Sequence, residues 1–286
     1  MRPLFIVLAL LAPACSKAPE KAHAAQAPEP TFDGALETKV SAEVSHGERL
    51  SHVLGCRGCH QANLEGIWFN EDSPELGKLY ASNLTRALPT MTDAQLEALL
   101  RTGKHPTRGD LWIMPSEIFQ RLGEADMKAL IAHLRTVKPS GKPTPPPALS
   151  ALARKLVASG KLKPTSAWIA EYRDKVPPDM GRQYALGRYI AATTCAECHG
   201  AELTGIPNFE PGVSTPDLDI AGTYSDSELA ELLTTGKGKT KPNLGLMSQV
   251  GKRRFSYLTA NERSAVIAYL KARANRPATQ VASRPR

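Results

Sequence analysis

The sequence predicts a helical protein made of one module used twice and joined by a proline-rich segment. Three observations carry this reading. Apolar residues recur at helical spacing behind capping-box sequences. The order of these segments repeats between the two halves of the chain. Between them, residues 139–147 (PSGKPTPPP) hold five prolines and cannot form a helix or a central strand. A chain of 286 residues with 42% hydrophobic content can bury about two cores.

The elements follow in order. Arg2 and the apolar run Leu4 to Leu11 read as a targeting segment over residues 1–15, too short to span a bilayer. Ala12-Pro13-Ala14-Cys15 resembles the lipobox of bacterial lipoproteins, with Ala12 where Leu is usual and Leu11 one place further off. Cys15 is therefore expected to carry a lipid anchor; ordinary cleavage after Ala14 or Ala24 is the alternative. Residues 16–44, rich in Ala, Pro and charge, read as a flexible tether.

The first module, 45–138, opens with the capping box Ser45-x-x-Glu48 and a helix carrying Leu50, Val53 and Leu54 directly into Cys56. Thr92-x-x-Gln95 starts a second helix, with Leu96, Leu99 and Leu100, which Gly103 stops. A third follows Gly123, with Met127, Leu130, Ile131 and Leu134 as its stripe. Residues 139–178 form the linker, with a short amphipathic piece from Leu149 to Val157.

The second module, 179–275, repeats the plan. A helix near Tyr184 to Ile190 feeds Cys195, and Ser225-x-x-Glu228 opens a helix with Leu229, Leu232 and Leu233 that ends at Gly236. Thr259-x-x-Glu262 caps the last helix, with Val266, Ile267 and Leu270; residues 276–286 read as a disordered tail. CHQANLEGI at 59–67 matches CHGAELTGI at 198–206, and LLRTGK at 99–104 matches LLTTGK at 232–237. This is a tandem duplication, not a solenoid.

Each module carries one chemical signature, Cys56-Arg57-Gly58-Cys59-His60 and Cys195-Ala196-Glu197-Cys198-His199. Two thiols one helical turn apart, followed at once by an imidazole, is the attachment pattern of c-type haem. Each thiol adds to one porphyrin vinyl group, and the His then lies under the iron. A pair of zinc half-sites is the competing reading, but the two motifs stand too far apart for one zinc ribbon. Four of the five Cys are used in this way, so no disulfide framework arises.

A Met thioether in the remaining axial position stabilises ferrous iron and suits electron transfer. Met247 is the only Met after Cys198, and no His follows His199; the stretch Asn243 to Gly251 around it reads as a loop. In the first module Met91, Met114, Met127, His105 and His133 compete. Register against the repeat selects Met114, which follows Thr102-Gly103-Lys104 as Met247 follows Thr235-Gly236-Lys237. Trp68, Trp112, Trp168 and Tyr189 are candidates to line the haems, with ordinary core as their alternative.

These segments resemble the class I cytochrome c family, in particular its tandem dihaem members. The cues are CHQANLEG, SNLTR, TDAQLEALLRTGK and MPSEIFQRL in the first module, and CHGAELTG, SDSELAELLTTGK, LMSQV and VIAYL in the second. The resemblance implies an all-α fold in which terminal helices cross and each haem sits in an apolar crevice. It implies two covalently bound haems, one on Cys56 and Cys59 with axial His60 and Met114, the other on Cys195 and Cys198 with His199 and Met247. In many members a Pro carbonyl soon after the motif orients the proximal His. Pro207 is the candidate for that role in the second module, and Trp68 stands at the equivalent place in the first.

The expected function is electron transfer between redox protein partners, such as a dehydrogenase donor and an oxidase or cytochrome acceptor. The expected place is the periplasmic side of a bacterial membrane. A dihaem enzyme, a peroxidase or a sulfur-compound oxidoreductase with one open or displaceable ligand, is the alternative. A net charge of +8 is dispersed, with no aromatic-interleaved basic patch, which speaks against nucleic acid. It favours docking to an acidic partner or an anionic membrane surface.

Overall fold

The computed structural model describes residues 29–209 and 212–277. The targeting segment with Cys15, the first part of the expected tether (16–28) and the tail from 278 onward lie outside the described residues.

Thirteen α-helices follow one another among the described residues. In the first half these are α1 (Val40–Val53), α2 (Cys56–Cys59), α3 (Leu84–Ala87), α4 (Asp93–Thr102), α5 (Ser116–Phe119) and α6 (Glu124–Thr136). The linker carries α7 (Ala151–Ala158) and α8 (Thr165–Tyr172). The second half has α9 (Ala185–Ile190), α10 (Ala196–His199), α11 (Asp226–Thr235), α12 (Leu246–Arg253) and α13 (Ala260–Ala274). Among the described residues strand is limited to three antiparallel pairs of two residues each: Ile67–Trp68 with Tyr80–Ala81, Gly77–Lys78 with Ala148–Leu149, and Lys104–His105 with Gly109–Asp110.

Three of the expected capping boxes form, at Thr92, Ser225 and Thr259; each hydroxyl accepts from the N3 amide while the N3 side chain accepts from the cap amide. The box expected at Ser45 does not. The helix starts earlier, at Val40, with Lys39 as its cap. No Gly or Pro lies between Lys39 and Ser45, so extending an already nucleated helix across them costs little. Residues 29–44 also differ from a loose tether. Phe32 is 1% exposed, and its amide donates to Asp126 Oδ2 at 3.0 Å.

In each half the first and last long helices cross, α1 on α6 and α9 on α13, and a glycine sits at each crossing. A Cβ on Gly47 would lie 1.8 Å from the Ala129 carbonyl oxygen, and one on Gly187 would lie 2.1 Å from that of Ala265. The two modules share this joint, with the glycine on the first helix and the carbonyl on the last.

The halves then merge through a buried polar network and a shared apolar core. Leu50, Leu130 and Phe32 belong to the same buried cluster as Tyr189, Ile190 and Leu270. Fully buried Asp126 accepts from Tyr189 Oη at 2.7 Å and lies 2.8 Å from His46 Nε2. Arg49 makes a two-pronged ion pair with buried Glu262, at 2.7 and 2.9 Å. Polar groups so deeply buried persist because each has its partner. The proline-rich stretch lies along the first half: Asn83 Nδ2 donates to the carbonyls of Ser140 and Lys142, and the Asn83 amide donates to Thr144 Oγ1.

Candidate functional site

The two Cys-x-x-Cys-His turns are short helices, and the same loop geometry follows each of them. After the histidine comes a left-handed residue, Gln61 (φ 67°) in the first half and Gly200 (φ 79°) in the second. Three residues later Leu64 and Leu203 are left-handed as well, at φ 61° and 63°. The loops close through Gly66 N to His60 O (2.9 Å) and Gly205 N to His199 O (2.8 Å). Both leucines are buried, at 1% and 0% exposure, so their packing stabilises a backbone that costs a side chain about 1 kcal/mol or more.

This loop brings a distant backbone carbonyl to each imidazole. His60 Nδ1 donates to the Ser82 carbonyl at 2.7 Å, and His199 Nδ1 donates to the Pro216 carbonyl at 2.9 Å. The orienting group in the second half is therefore Pro216, not Pro207, and in the first half it is Ser82. The approach depends on two glycines. A Cβ on Gly66 would fall 2.1 Å from Ala81 O, and one on Gly205 would fall 2.4 Å from Thr215 O. Nδ1–H is committed to a carbonyl in each case, so the tautomer is set and Nε2 is left as the electron-pair donor. Burial lowers the basicity of both rings, against the opposing pull of those carbonyls, and keeps them neutral near pH 7.

What holds the two carbonyls differs between the halves. The residue after Ser82 is Asn83, which the proline-rich strap grips. The residue after Pro216 is Asp217, gripped by Arg273 from the end of α13. Arg273 is fully buried, with Nη1 2.7 Å from Asp217 Oδ1 and 2.5 Å from Asp219 Oδ1.

Cys56, Cys59 and His60 line a cavity of about 430 Å³ whose walls include Leu79, Leu96, Leu100, Phe119 and Leu130. Met114, Met91 and His105 open into the same cavity. Met127 and His133 do not line it and pack in α6, with 1% and 5% exposure. Met114 sits on a loop just before α5. Its carbonyl accepts from the Ser116 amide at 2.8 Å and from Thr165 Oγ1 at 2.9 Å, so the linker helix α8 pins the loop. Trp112 lines this cavity, whereas Trp68 bonds Asn70, Trp168 packs edge-on against Tyr172, and Tyr189 serves the interface between halves.

In the second half Cys195 and Met247 are partly buried against the same core. Met247 is the second residue of α12, not part of a loop as expected. The chain reverses immediately before it at Gly245 (φ 64°), and Ser248 Oγ accepts from the Leu244 amide at 2.8 Å, which lets the helix start that early.

Glu117 on α5 faces the second turn. Desolvation and the neighbouring Glu197 raise its carboxyl from 4.5 to about 7. A raised carboxyl favours the fold while protonated, so its contribution is complete below about pH 4.5 and is lost as pH rises to about 7. Denaturant unfolding across pH should show the stability of the wild type relative to Glu117→Gln falling over that window and levelling above it. A flat difference would mean that Glu117 is not desolvated.

Comparison with known proteins agrees with this geometry. The sequence model for cytochrome c matches residues 44–138 and again 184–274. The chain belongs to the cytochrome c family. Among characterised relatives, the fructose dehydrogenase cytochrome subunit of Gluconobacter japonicus is 26% identical over 253 residues, covering 80% of this chain and 52% of that protein. A diheme cytochrome c-type protein of Cereibacter sphaeroides is 25% identical over 268 residues, covering 84% and 88%. The cytochrome c subunit of a quinone alcohol dehydrogenase from Gluconacetobacter polyoxogenes is 25% identical over 269 residues, covering 81% and 56%. The chain thus spans about half the length of the two dehydrogenase subunits and most of the diheme cytochrome.

The two cytochrome c domains carry two covalently bound c-type haems. The residues present fit that group: paired thiols beside an imidazole of set tautomer, and in the first domain a large apolar cavity between them and Met114. Among the described residues no helix is long and apolar enough to cross a membrane.

Proposed function

We propose that this cytochrome c is a dihaem electron carrier linking a dehydrogenase to a downstream acceptor on the periplasmic side of a bacterial membrane. Cys56 and Cys59 would hold one haem, with His60 and Met114 as ligands to its iron. Cys195 and Cys198 would hold the other, with His199 and Met247. The observation that carries this reading is the same Nδ1–carbonyl bond at both histidines, which aims a neutral Nε2 from each attachment turn.

Each haem supplies reversible one-electron exchange between ferric and ferrous iron. The chain does the rest. His60 and His199 stay neutral donors of fixed orientation, and the leucine walls of the first cavity keep water away. Thr165 holds the Met114 loop, so ligation need not rearrange as charge changes. Cys15, as a lipid-bearing residue, would tether the carrier to the membrane surface beside its partners. The names of the dehydrogenase cytochrome subunits support a dehydrogenase as donor.

The test is the absorption spectrum of the exported protein, oxidised and reduced, with haem counted per chain. Two haems and a far-red ferric band at full strength are expected. Met114→Ala and Met247→Ala should each halve that band. A wild-type band at half strength, or a high-spin component, would overturn one Met ligand and favour an enzyme with an open iron.

A further inference from the structure

A partly buried ion pair of the second domain, Arg254–Glu197, sits where the attachment turns of the two domains approach each other. Arg254 follows α12, the helix whose first turn carries Met247, and its guanidinium reaches over to the first domain. Its Nε donates to the Val53 carbonyl at 3.2 Å, and its Nη1 lies 2.7 Å from Glu197 Oε2. Glu197 is the middle residue of the second motif, and it also lines the cavity of the first domain. The Arg254 side chain is 12% exposed, and its Nη2 is buried with no hydrogen-bond partner.

The first domain makes room for this side chain. Gly55, just ahead of Cys56, is left-handed (φ 82°), and a Cβ there would fall 2.7 Å from Arg254 Cζ. The helix leading into the first motif is therefore broken. In the second domain the chain continues from α9 through the wide turn Ala191–Cys195 into α10 without such a break. The guanidinium stands within electrostatic reach of all four attachment sulfurs. Sulfurs in thioether linkage are uncharged, so Glu197 and the two haem centres remain the groups that respond to its charge.

We infer that the Arg254–Glu197 pair is an electrostatic link common to both haem centres, with its two charges setting both reduction potentials in opposite directions. The inference rests on the haem ligation proposed above. A nearby cation favours the ferrous state, because the iron centre then carries one less positive charge; a nearby carboxylate favours the ferric state. Partly buried charges such as these are screened by salt less than exposed ones. Arg254 and Glu197 touch no iron ligand directly in this scheme; they act as positioning charges at the junction.

The test is a potentiometric titration of both haems in Arg254→Met, Glu197→Gln and the double variant, followed by absorbance. Arg254→Met should lower both midpoints and Glu197→Gln should raise both. Each shift should be about tenfold in the reduction equilibrium, equivalent to about 59 mV for one electron. The double variant should return near wild type. Loosened packing alone would move both single variants the same way, so same-sign shifts, a shift at one haem only, or no shift would each overturn the link. If Arg254→Met does not accumulate, the isosteric Glu197→Gln still decides, since its two midpoints must rise. Haem content and the far-red band are recorded for every variant. Loss of either in the wild type would refute the ligation itself, whereas intact ligation with unmoved potentials refutes only the link.

Discussion

Arg273→Met is expected to unfold the second cytochrome domain around His199 while leaving the first ligated. The guanidinium is wholly buried and is shared by Asp217 and Asp219, with Nη2 also donating to the Glu202 carbonyl at 3.2 Å. Removing one partner of a buried pair costs about 3–5 kcal/mol, because the remaining charges lose their neutralisation. Asp217 and Asp219 keep about a third of their side-chain surface in water, so the lower end of that range applies here. The damage is directed. Asp217 follows Pro216, whose carbonyl orients His199, so the imidazole seat loosens first. Denaturant unfolding followed by haem absorbance should change from one transition to two, with half of the far-red band lost early. A single transition at the wild-type midpoint would show that Arg273 does not hold this segment. Removing one carboxylate as well, in Arg273→Met with Asp219→Asn, should recover part of the loss.

Gly47→Ala and Gly187→Ala are expected to be nearly as costly, by a different mechanism. A single methyl group at either crossing would overlap a backbone carbonyl of the partner helix, at 1.8 and 2.1 Å, and no side chain can move to relieve it. The helices must separate, at about 3 kcal/mol for such overpacking. Better helix propensity returns about 1 kcal/mol, so the net loss is about 2 kcal/mol. Gly58→Ala is the control, because nothing lies within 4 Å of a Cβ there. Equal unfolding midpoints for Gly47→Ala and Gly58→Ala would contradict the crossing geometry.

Much of this molecule can be read along the chain. The duplicated motifs, the capping boxes at Thr92, Ser225 and Thr259, and the helix stops at Gly103 and Gly236 depend on residues a few positions apart. Their chemistry is visible as side-chain type and spacing. The box at Ser45 failed for an equally local reason, since nothing upstream of it stops a helix. The stretch around Met247 reads as a loop yet forms the start of α12, because the turn at Gly245 is closed by Ser248 and not by a helix breaker.

The groups that hold the histidines had no such signature. A backbone carbonyl is the same on every residue, so Ser82 and Pro216 could not be told from their neighbours, and proximity to the motif pointed to Pro207 instead. The signal that could have found them is the glycine repeated at 66 and 205, which marks a close backbone approach. Phe32 beside Tyr189, Asp126 beneath His46 and Arg254 between the two attachment turns are contacts across 57 to more than 150 residues. Sequence alone determined that there are two haem modules, each with its paired thiols and adjacent imidazole, and where the helices capped at Thr92, Ser225 and Thr259 start. Tertiary structure decided which carbonyl sets each imidazole, what grips that carbonyl, and that the Arg254–Glu197 pair lies beside both attachment turns. Those outcomes depend on burial and on charges meeting at long range, and only the packed chain brings them together.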